Sequence, residues 1–376
     1  MQVNQQKLLT QNIGAIVIAL LLTVSCNNKN NRTTMNYQWP DVPAPIADKK
    51  PKALTTAFGD TRTDEYYWMN DFFKKGPDSS NVVSYLQAEN RYYDTLMAGT
   101  KDLQEKLYTE MKARIKEKDE SVPTLKNGYF YYTRQIEGKD YYLYCRKKNS
   151  LDAPEEVLLD VNKLAEGHEY YRIGANSVSP DNNLMAFSVD TVGRNEYTMY
   201  VKDLGTGGIY QDAIPRTQGG SAEWAADNKT IFYTSKNPVT LLSEKIKKHV
   251  LGTPVAADKV VYEEKDPSNY IGVGKSKSEK YIFIVSQATM SSEWRLLPTD
   301  QPEGSFTVFQ PRMKDVLYDV DHAEGVFYIR TNKDAKNFKL MTATDNKTDT
   351  SNWKELVPHN ESVLIENFDL FKNFIA

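Results

Sequence analysis

A nucleophilic serine on an α/β sheet stands in G-x-S-x-G, because the sharp turn from strand to helix tolerates only small neighbours. Two stretches come nearest, "GGSAE" (219–223) and "GANSV" (174–178), and both lack the closing glycine. A phosphate-cradling loop needs G-x-x-x-x-G-K-[ST] opening a helix. "NYIGVGKS" (269–276) has Asn269 in place of the first glycine, and its continuation "KSEKYIFIV" reads as a strand. "DVDHAEG" (319–325) has the look of a calcium loop, but Ala323 stands at a ligand position and the spacing to Gly325 is wrong. The acidic pairs Glu155-Glu156 and Glu263-Glu264 read as solvated strand ends, and Asp319 and Asp321 as a solvent-facing strand edge. Nothing in these residues assembles a nucleophile, a base and an orienting acid. No catalytic residue is assigned, and no substrate-binding residue.

Cysteines and histidines add little. Cys26 and Cys145 are too few for a disulfide framework, and Cys145 lies in "YYLYCRKK", which reads as a strand. None of His168, His249, His322 and His359 stands at metal-ligand spacing from another His or Cys, so no metal and no cofactor are expected. The 376 residues carry a net charge of -3, with 40% hydrophobic and 26% charged residues. That balance gives no general pull toward nucleic acid or an anionic membrane.

The first 26 residues read as an address. Lys7 precedes an apolar run from Ile13 to Val24, which is short for a membrane span and suited to a signal-peptide core. Leu22-Thr23-Val24-Ser25-Cys26 resembles a bacterial lipoprotein cleavage site, with Thr23 where Leu is commoner. On that reading Cys26 is acylated and anchors the chain to a membrane of the cell envelope, on its periplasmic or surface side. The other reading is an ordinary secretory signal and a secreted chain. Residues 27–60, rich in Asn, Pro and Lys, read as a flexible tether.

The elements follow from periodicity. Residues 61–123 read as a helical extension. Val82, Val83, Leu86, Tyr93 and Leu96 fall near one helical face, and Leu103, Leu107, Met111 and Ile115 recur every four residues. Thr100 is placed to cap the second helix, and Pro123 disfavours helix at Val122. From Thr124 the period changes to two. A polar turn followed by an aromatic or aliphatic strand recurs as "KNGYFYYTRQ", "PDNNLMAFSVD", "ADNKTIFYTSK", "SEKYIFIVSQ" and "AEGVFYIRTN". The equivalent turn residues Asn127, Asn182, Asn228, Glu279 and Glu324 are spaced as a β-propeller requires, with several strands per unit. The second unit reads as four strands, "IGANSVS", "LMAFSVD", "YTMYVKDL" and "GGIY". Residues 124–376 therefore predict five blades and, in "SVLIENFDLFKNFIA", part of a sixth.

Long co-linear stretches then carry a resemblance. "RTDEYYWMND", "VVSYLQAENRYYD", "LQEKLYTEMKARIKEKDESVPTLKNGYFYYTRQIEGKDYYLYCRKK", "KNPVT", "VYEEKDPSNYIGVGKSKSEKYI" and "DAKNFKLM" are similar to oligopeptidase B (protease II), a branch of the prolyl oligopeptidase family of serine peptidases. The likeness runs from about Arg62 to Ala376. It implies a seven-bladed propeller joined to an α/β-hydrolase domain that carries Ser, Asp and His and packs against the helical extension. It also implies cleavage of short peptides after Arg or Lys, with the propeller excluding folded proteins and no metal involved.

The fold expected here is thus mainly β: a helical extension and an incomplete propeller without the hydrolase domain. An unclosed ring exposes a sheet edge, an aggregation liability. The chain alone is expected to be poorly stable and without peptidase activity. Three functional readings follow: the propeller part of a serine oligopeptidase, whose hydrolase domain would be supplied in cis; a surface-anchored binding module; or one half of a split peptidase completed by a second chain.

Overall fold

The computed structural model describes residues 37–376; Cys26 and the whole leader lie outside the described residues. The chain divides into two compact units, one ending at Ile115 and the other starting at Lys116.

In the first unit, β1 (Lys52–Thr55) and β2 (Thr61–Asp64) form an antiparallel hairpin. Two helices follow, α1 (Ser79–Met97) and α2 (Lys101–Ala113). The Asp71 carboxylate accepts the Asp78 N–H at 3.0 Å, and the Ser79 hydroxyl donates to the Asp71 carbonyl, so the entry into α1 is tied to the preceding turn. Part of the stretch read as a tether is built into this unit. Tyr37 donates its hydroxyl to the Leu96 carbonyl, Asp48 accepts the Trp68 indole N–H at 2.8 Å, and Lys50 pairs with Asp78. Thr100 does sit at the N-cap position of α2, yet its side chain caps no backbone N–H. The hydroxyl instead donates back to the Met97 carbonyl and accepts from the Gln104 amide. The cause is the single 3-10 turn at Ala98–Thr100, which carries α1 almost directly into α2 and turns the hydroxyl backward. Of the two apolar helical rows, Val82 is buried, whereas Val83, Leu86, Tyr93, Leu103, Leu107, Met111 and Ile115 are exposed.

The second unit is five antiparallel blades, each a meander. Blade 1 holds β3 (Thr124–Lys126), β4 (Tyr129–Gln135), β5 (Tyr142–Lys148) and β6 (Glu155–Asp160). Blade 2 holds β7 (Arg172–Val178), β8 (Leu184–Asp190), β9 (Tyr197–Asp203) and the start of β10 (Ile214–Trp224). Blade 3 takes the end of β10, then β11 (Thr230–Lys236), β12 (Ser243–Val250) and β13 (Lys259–Glu263). Blade 4 is β14 (Tyr270–Lys275), β15 (Tyr281–Gln287), β16 (Ser292–Pro298) and β17 (Thr307–Gln310). Blade 5 is β18 (Tyr318–Ala323), β19 (Val326–Thr331), β20 (Lys339–Thr344) and β21 (Lys354–Val357).

Two details depart from the expected pattern. "GGIY" makes only an isolated bridge, Lys202 to Ile209, and the outer ladder of blade 2 comes from β10, where Ile214 faces Met199 and Thr217 faces Tyr197. Strand β10 then serves two blades, so blades 2 and 3 form one seven-stranded sheet. It changes partner across a register shift between Thr217 and Ala222. Gly219 lies in that shift because the Tyr197 ring passes so close that a Cβ would meet it at 2.5 Å.

The segment read as part of a sixth blade contains two isolated bridges, Asn360 to Val363 and Leu370 to Ile375. With no ladder of its own to join, it doubles back. The Phe371 and Phe374 rings stack at 4.5 Å, while Phe368 and Leu370 bury themselves against Leu340 of blade 5.

The core lies between consecutive blades. Phe187 and Met185 meet Leu158 and Leu159 between blades 1 and 2, Trp224 meets Met199 between 2 and 3, and Phe232 meets Ile271 and Ile284 between 3 and 4. Between 4 and 5, Phe283 and Phe309 meet Tyr318 and Phe327. The second strands of blades 2 to 4 are therefore buried on both faces, and this is why "LMAFSVD" and "YIFIVSQ" read as nearly continuous apolar runs.

All five equivalent turn residues have left-handed backbone, with φ of +46° at Asn127, +63° at Asn182, +58° at Asn228, +57° at Glu279 and +51° at Glu324. Asn tolerates this region, and a residue without a short polar side chain does not do so freely. Glu324 and Gly325 are both left-handed, as in a type I′ hairpin turn, where Asn-Gly is the preferred pair. Replacing Glu324 by Asn is therefore expected to raise stability by about 0.5–1 kcal/mol. A lower urea midpoint for E324N than for the parent would contradict this reading of the turn.

Candidate functional site

The sequence stretches weighed for chemistry are absorbed into blades. "GGSAE" lies in β10, "GANSV" in β7, and "GVGKS" is the inner strand β14 and its end. Asp319 pairs with Arg330 on the neighbouring strand, and Asp321 accepts the Lys277 N–H. Glu155 is held by Arg134 and the Tyr132 hydroxyl, and Glu156 by Arg146. Glu264 accepts from the Tyr262 hydroxyl and lies beside Arg312. These carboxylates have structural partners; Glu155 and Glu263 are at the same time exposed, and Glu263 lies 3.4 Å from Lys245 of the neighbouring strand. Cys145 is a free, buried thiol whose burial pushes it up to about 12, so it carries almost no thiolate. Among the described residues no group of three or more His, Cys, Asp or Glu side chains is placed to hold a metal ion.

Two constellations remain, both at the turns between first and second strands. In one, residues far apart in sequence meet: Lys126 of blade 1 pairs with Glu279 of blade 4 at 2.9 Å, and the Asn127 amide, 152 positions from Glu279, donates to the same carboxylate at 3.1 Å. Burial pushes the Glu279 carboxyl up, but Lys126 and Asn127 outweigh it and hold it below the usual carboxylate range. Nearby, burial raises Glu223 and lowers Lys275, each against the pull of the other's charge. The first-strand ends of blades 1, 3 and 4 thus bring opposite charges together in a partly buried cluster.

In the other, the sequence reading missed a row of three. The Ser278 hydroxyl lies 2.7 Å from His322 Nδ1, and His322 Nε2 lies 2.6 Å from Asp345 Oδ1. Burial pushes the Asp345 carboxyl up, but Lys280 and His322 outweigh it and keep it ionised. The ionised acid assigns the tautomer: Nε2–H donates to Asp345, and Nδ1 accepts the Ser278 proton. His322 is buried at 1% exposure, and burial draws the imidazole below its ordinary range despite Asp345. Ser278 itself is exposed. The row bridges the first turn of blade 4 to the first strand of blade 5 and to the turn just after its third strand.

The row lacks the remainder of an amide-cleaving site. A tetrahedral oxyanion needs N–H donors aimed at it. Here the Lys277 N–H goes to Asp321, the Ser278 N–H to the His322 carbonyl, the Glu279 N–H to the Ser276 carbonyl and the Lys280 N–H to Ser278 Oγ. The only sequence signal for the row was "SEK" before a strand and a His in the next blade. Neither marks it, since the three residues are joined only when blades 4 and 5 pack.

Comparison with known proteins places this architecture. Residues 45–376 match the family model described as the prolyl oligopeptidase N-terminal β-propeller domain. Dipeptidyl aminopeptidase BI of Pseudoxanthomonas mexicana is 43% identical over 88% of this chain and 47% of its own length. Protease 2 of Moraxella lacunata is 34% identical over 84% of this chain and 45% of its own. The solved oligopeptidase B of Leishmania major superposes with a TM-score of 0.80 at 31% identity, over 89% of this chain and 48% of that one. The chain spans about half the length of the curated relatives it matches. Among the described residues there is no α/β-hydrolase domain. Five blades packed face to face, with their turn residues in register, and a family match over nearly all described residues make this chain a member of the prolyl oligopeptidase family, represented by its propeller domain.

Proposed function

We propose that this chain is the propeller part of a serine-type oligopeptidase of the cell envelope that cleaves short peptides after Arg or Lys. The family match over residues 45–376 is the observation that carries the reading. Bond cleavage belongs to a hydrolase domain supplied in cis or by a second chain, and the propeller limits access to small peptides. The name of the 43% identical relative puts removal of dipeptides from an amino end beside internal cleavage as the mode of attack. Cys26 carries the lipid that holds the protein at the membrane. The exposed row Leu103, Leu107, Met111 and Ile115 is an apolar helical face suited to such a hydrolase domain, whether it is joined in cis or comes from a second chain.

The nucleotide sequence after codon 376 tests this reading directly. A continuation, in frame or shifted, or a neighbouring gene, that encodes G-x-S-x-G followed by Asp and His supports it. Unrelated sequence behind a well-formed stop, with no such gene nearby, points instead to a surface-anchored binding module.

A further inference from the structure

The Ser278–His322–Asp345 row has chemistry of its own that the peptidase reading does not use. Ser278 is exposed and lines an open cavity of about 510 Å³, together with Tyr328, Leu370, Phe371 and Phe374. The cavity is apolar on the side of the two stacked phenylalanines. It is cationic at Lys277, whose ammonium stands 5.7 Å from the centre of the Phe371 ring. The serine proton points at the unprotonated nitrogen of a buried imidazole, and that imidazole is held from behind by a carboxylate. This is the polarisation that makes a hydroxyl nucleophilic.

We propose that Ser278 is an acylatable serine, taking the acyl group of small activated aryl esters with His322 as its base. In the step, Ser278 Oγ attacks the ester carbonyl carbon and its proton passes to His322 Nδ1. The C–O bond to the aryl group breaks, and the phenolate leaves with the electron pair. The imidazolium formed is stabilised by Asp345 and then loses its proton to solvent. Oγ also accepts from Lys280 N–H at 3.3 Å and lies 3.0 Å from Ser276 Oγ. The lone pair covered only by the longer contact is the one that attacks. Lys277 is the charge available to the developing oxyanion. With the turn N–H groups committed, only a good leaving group departs, and the acyl-serine persists, so the reaction is stoichiometric.

The full chain is incubated with p-nitrophenyl acetate, nitrophenolate release is followed, and the adduct is located by peptide mass spectrometry. The expected result is a single burst of about one equivalent, with the acetyl group on Ser278. S278A loses the burst. H322Q slows acetylation of Ser278 about 100-fold, within the range of a positioned base. The rate in the parent falls as pH drops and His322 becomes protonated. Because H322Q alters a buried residue, S278C gives an independent readout. Its new thiol is expected to react with iodoacetamide at pH 7 faster than buried Cys145, and faster than the same thiol in the unfolded chain. Acetylation confined to lysines, acetylation of Ser278 at an unchanged rate in a folded H322Q, or an S278C thiol no faster than in the unfolded chain would each overturn the proposal.

Discussion

The purified 376-residue chain is expected to leave both an arginine-containing peptide amide and a dipeptidyl amide uncleaved, at the rate of a buffer blank. Enzymes of this kind accelerate amide hydrolysis by a million-fold or more, and that acceleration needs several parts at once. A base alone contributes about 10²–10⁴, and loss of even one oxyanion donor costs about 10²–10³. Ser278 has the base, but the N–H groups of residues 277 to 280 are all spent on the turn and on blade 5. The row is therefore expected to react with an activated ester and to leave an amide intact. Peptide release above blank by a preparation free of other proteases, and its loss in S278A, would show that this propeller holds a complete peptidase site.

Replacing Trp224 by alanine is expected to lower stability by about 3–5 kcal/mol, enough to unfold a marginal domain. Trp224 is fully buried at the seam where β10 passes from blade 2 to blade 3, among Ala175, Met199, Ile214 and Tyr233. Its indole N–H also donates to the Ser177 carbonyl at 3.0 Å, so truncation leaves a buried acceptor without its partner. The seam matters more than an ordinary core position because consecutive blades here share one sheet, and loss of the ring loosens both. W224F keeps most of the apolar volume and loses the hydrogen bond, and it is expected to fall between the two. Urea denaturation followed by far-UV circular dichroism ranks the three proteins. Equal midpoints for W224A and the parent would mean that blades 2 and 3 do not depend on this packing.

Much of the blade pattern was legible because it is local. A left-handed turn residue and the strand beside it are set by neighbours a few positions away, and Asn127, Asn182, Asn228, Glu279 and Glu324 adopt the conformation their shared position implies. The lack of a G-x-S-x-G pentapeptide is likewise a property of the string of residues. Other features were out of reach. "GGIY" reads as a strand, but the ladder is made by Ile214 and Thr217, since register across a bulge depends on the partner strands, which a local window does not contain. Thr100 reads as a cap, but the single turn before it redirects the hydroxyl. The acidic pairs read as solvated, and the structure adds what the string does not show, their partners: Arg134 and Tyr132 for Glu155, Arg146 for Glu156 and Arg312 for Glu264.

The amino-acid sequence by itself determined the five complete blades, the place of their first turns and the family, because short-range backbone preference and apolar alternation specify a repeat without reference to distant residues. Tertiary structure alone decided which side chains meet between blades. Lys126 finds Glu279, and Ser278 finds His322 and Asp345, only after separate sheets have packed face to face. Such pairings depend on the stagger of one sheet against the next, which no local window of residues contains.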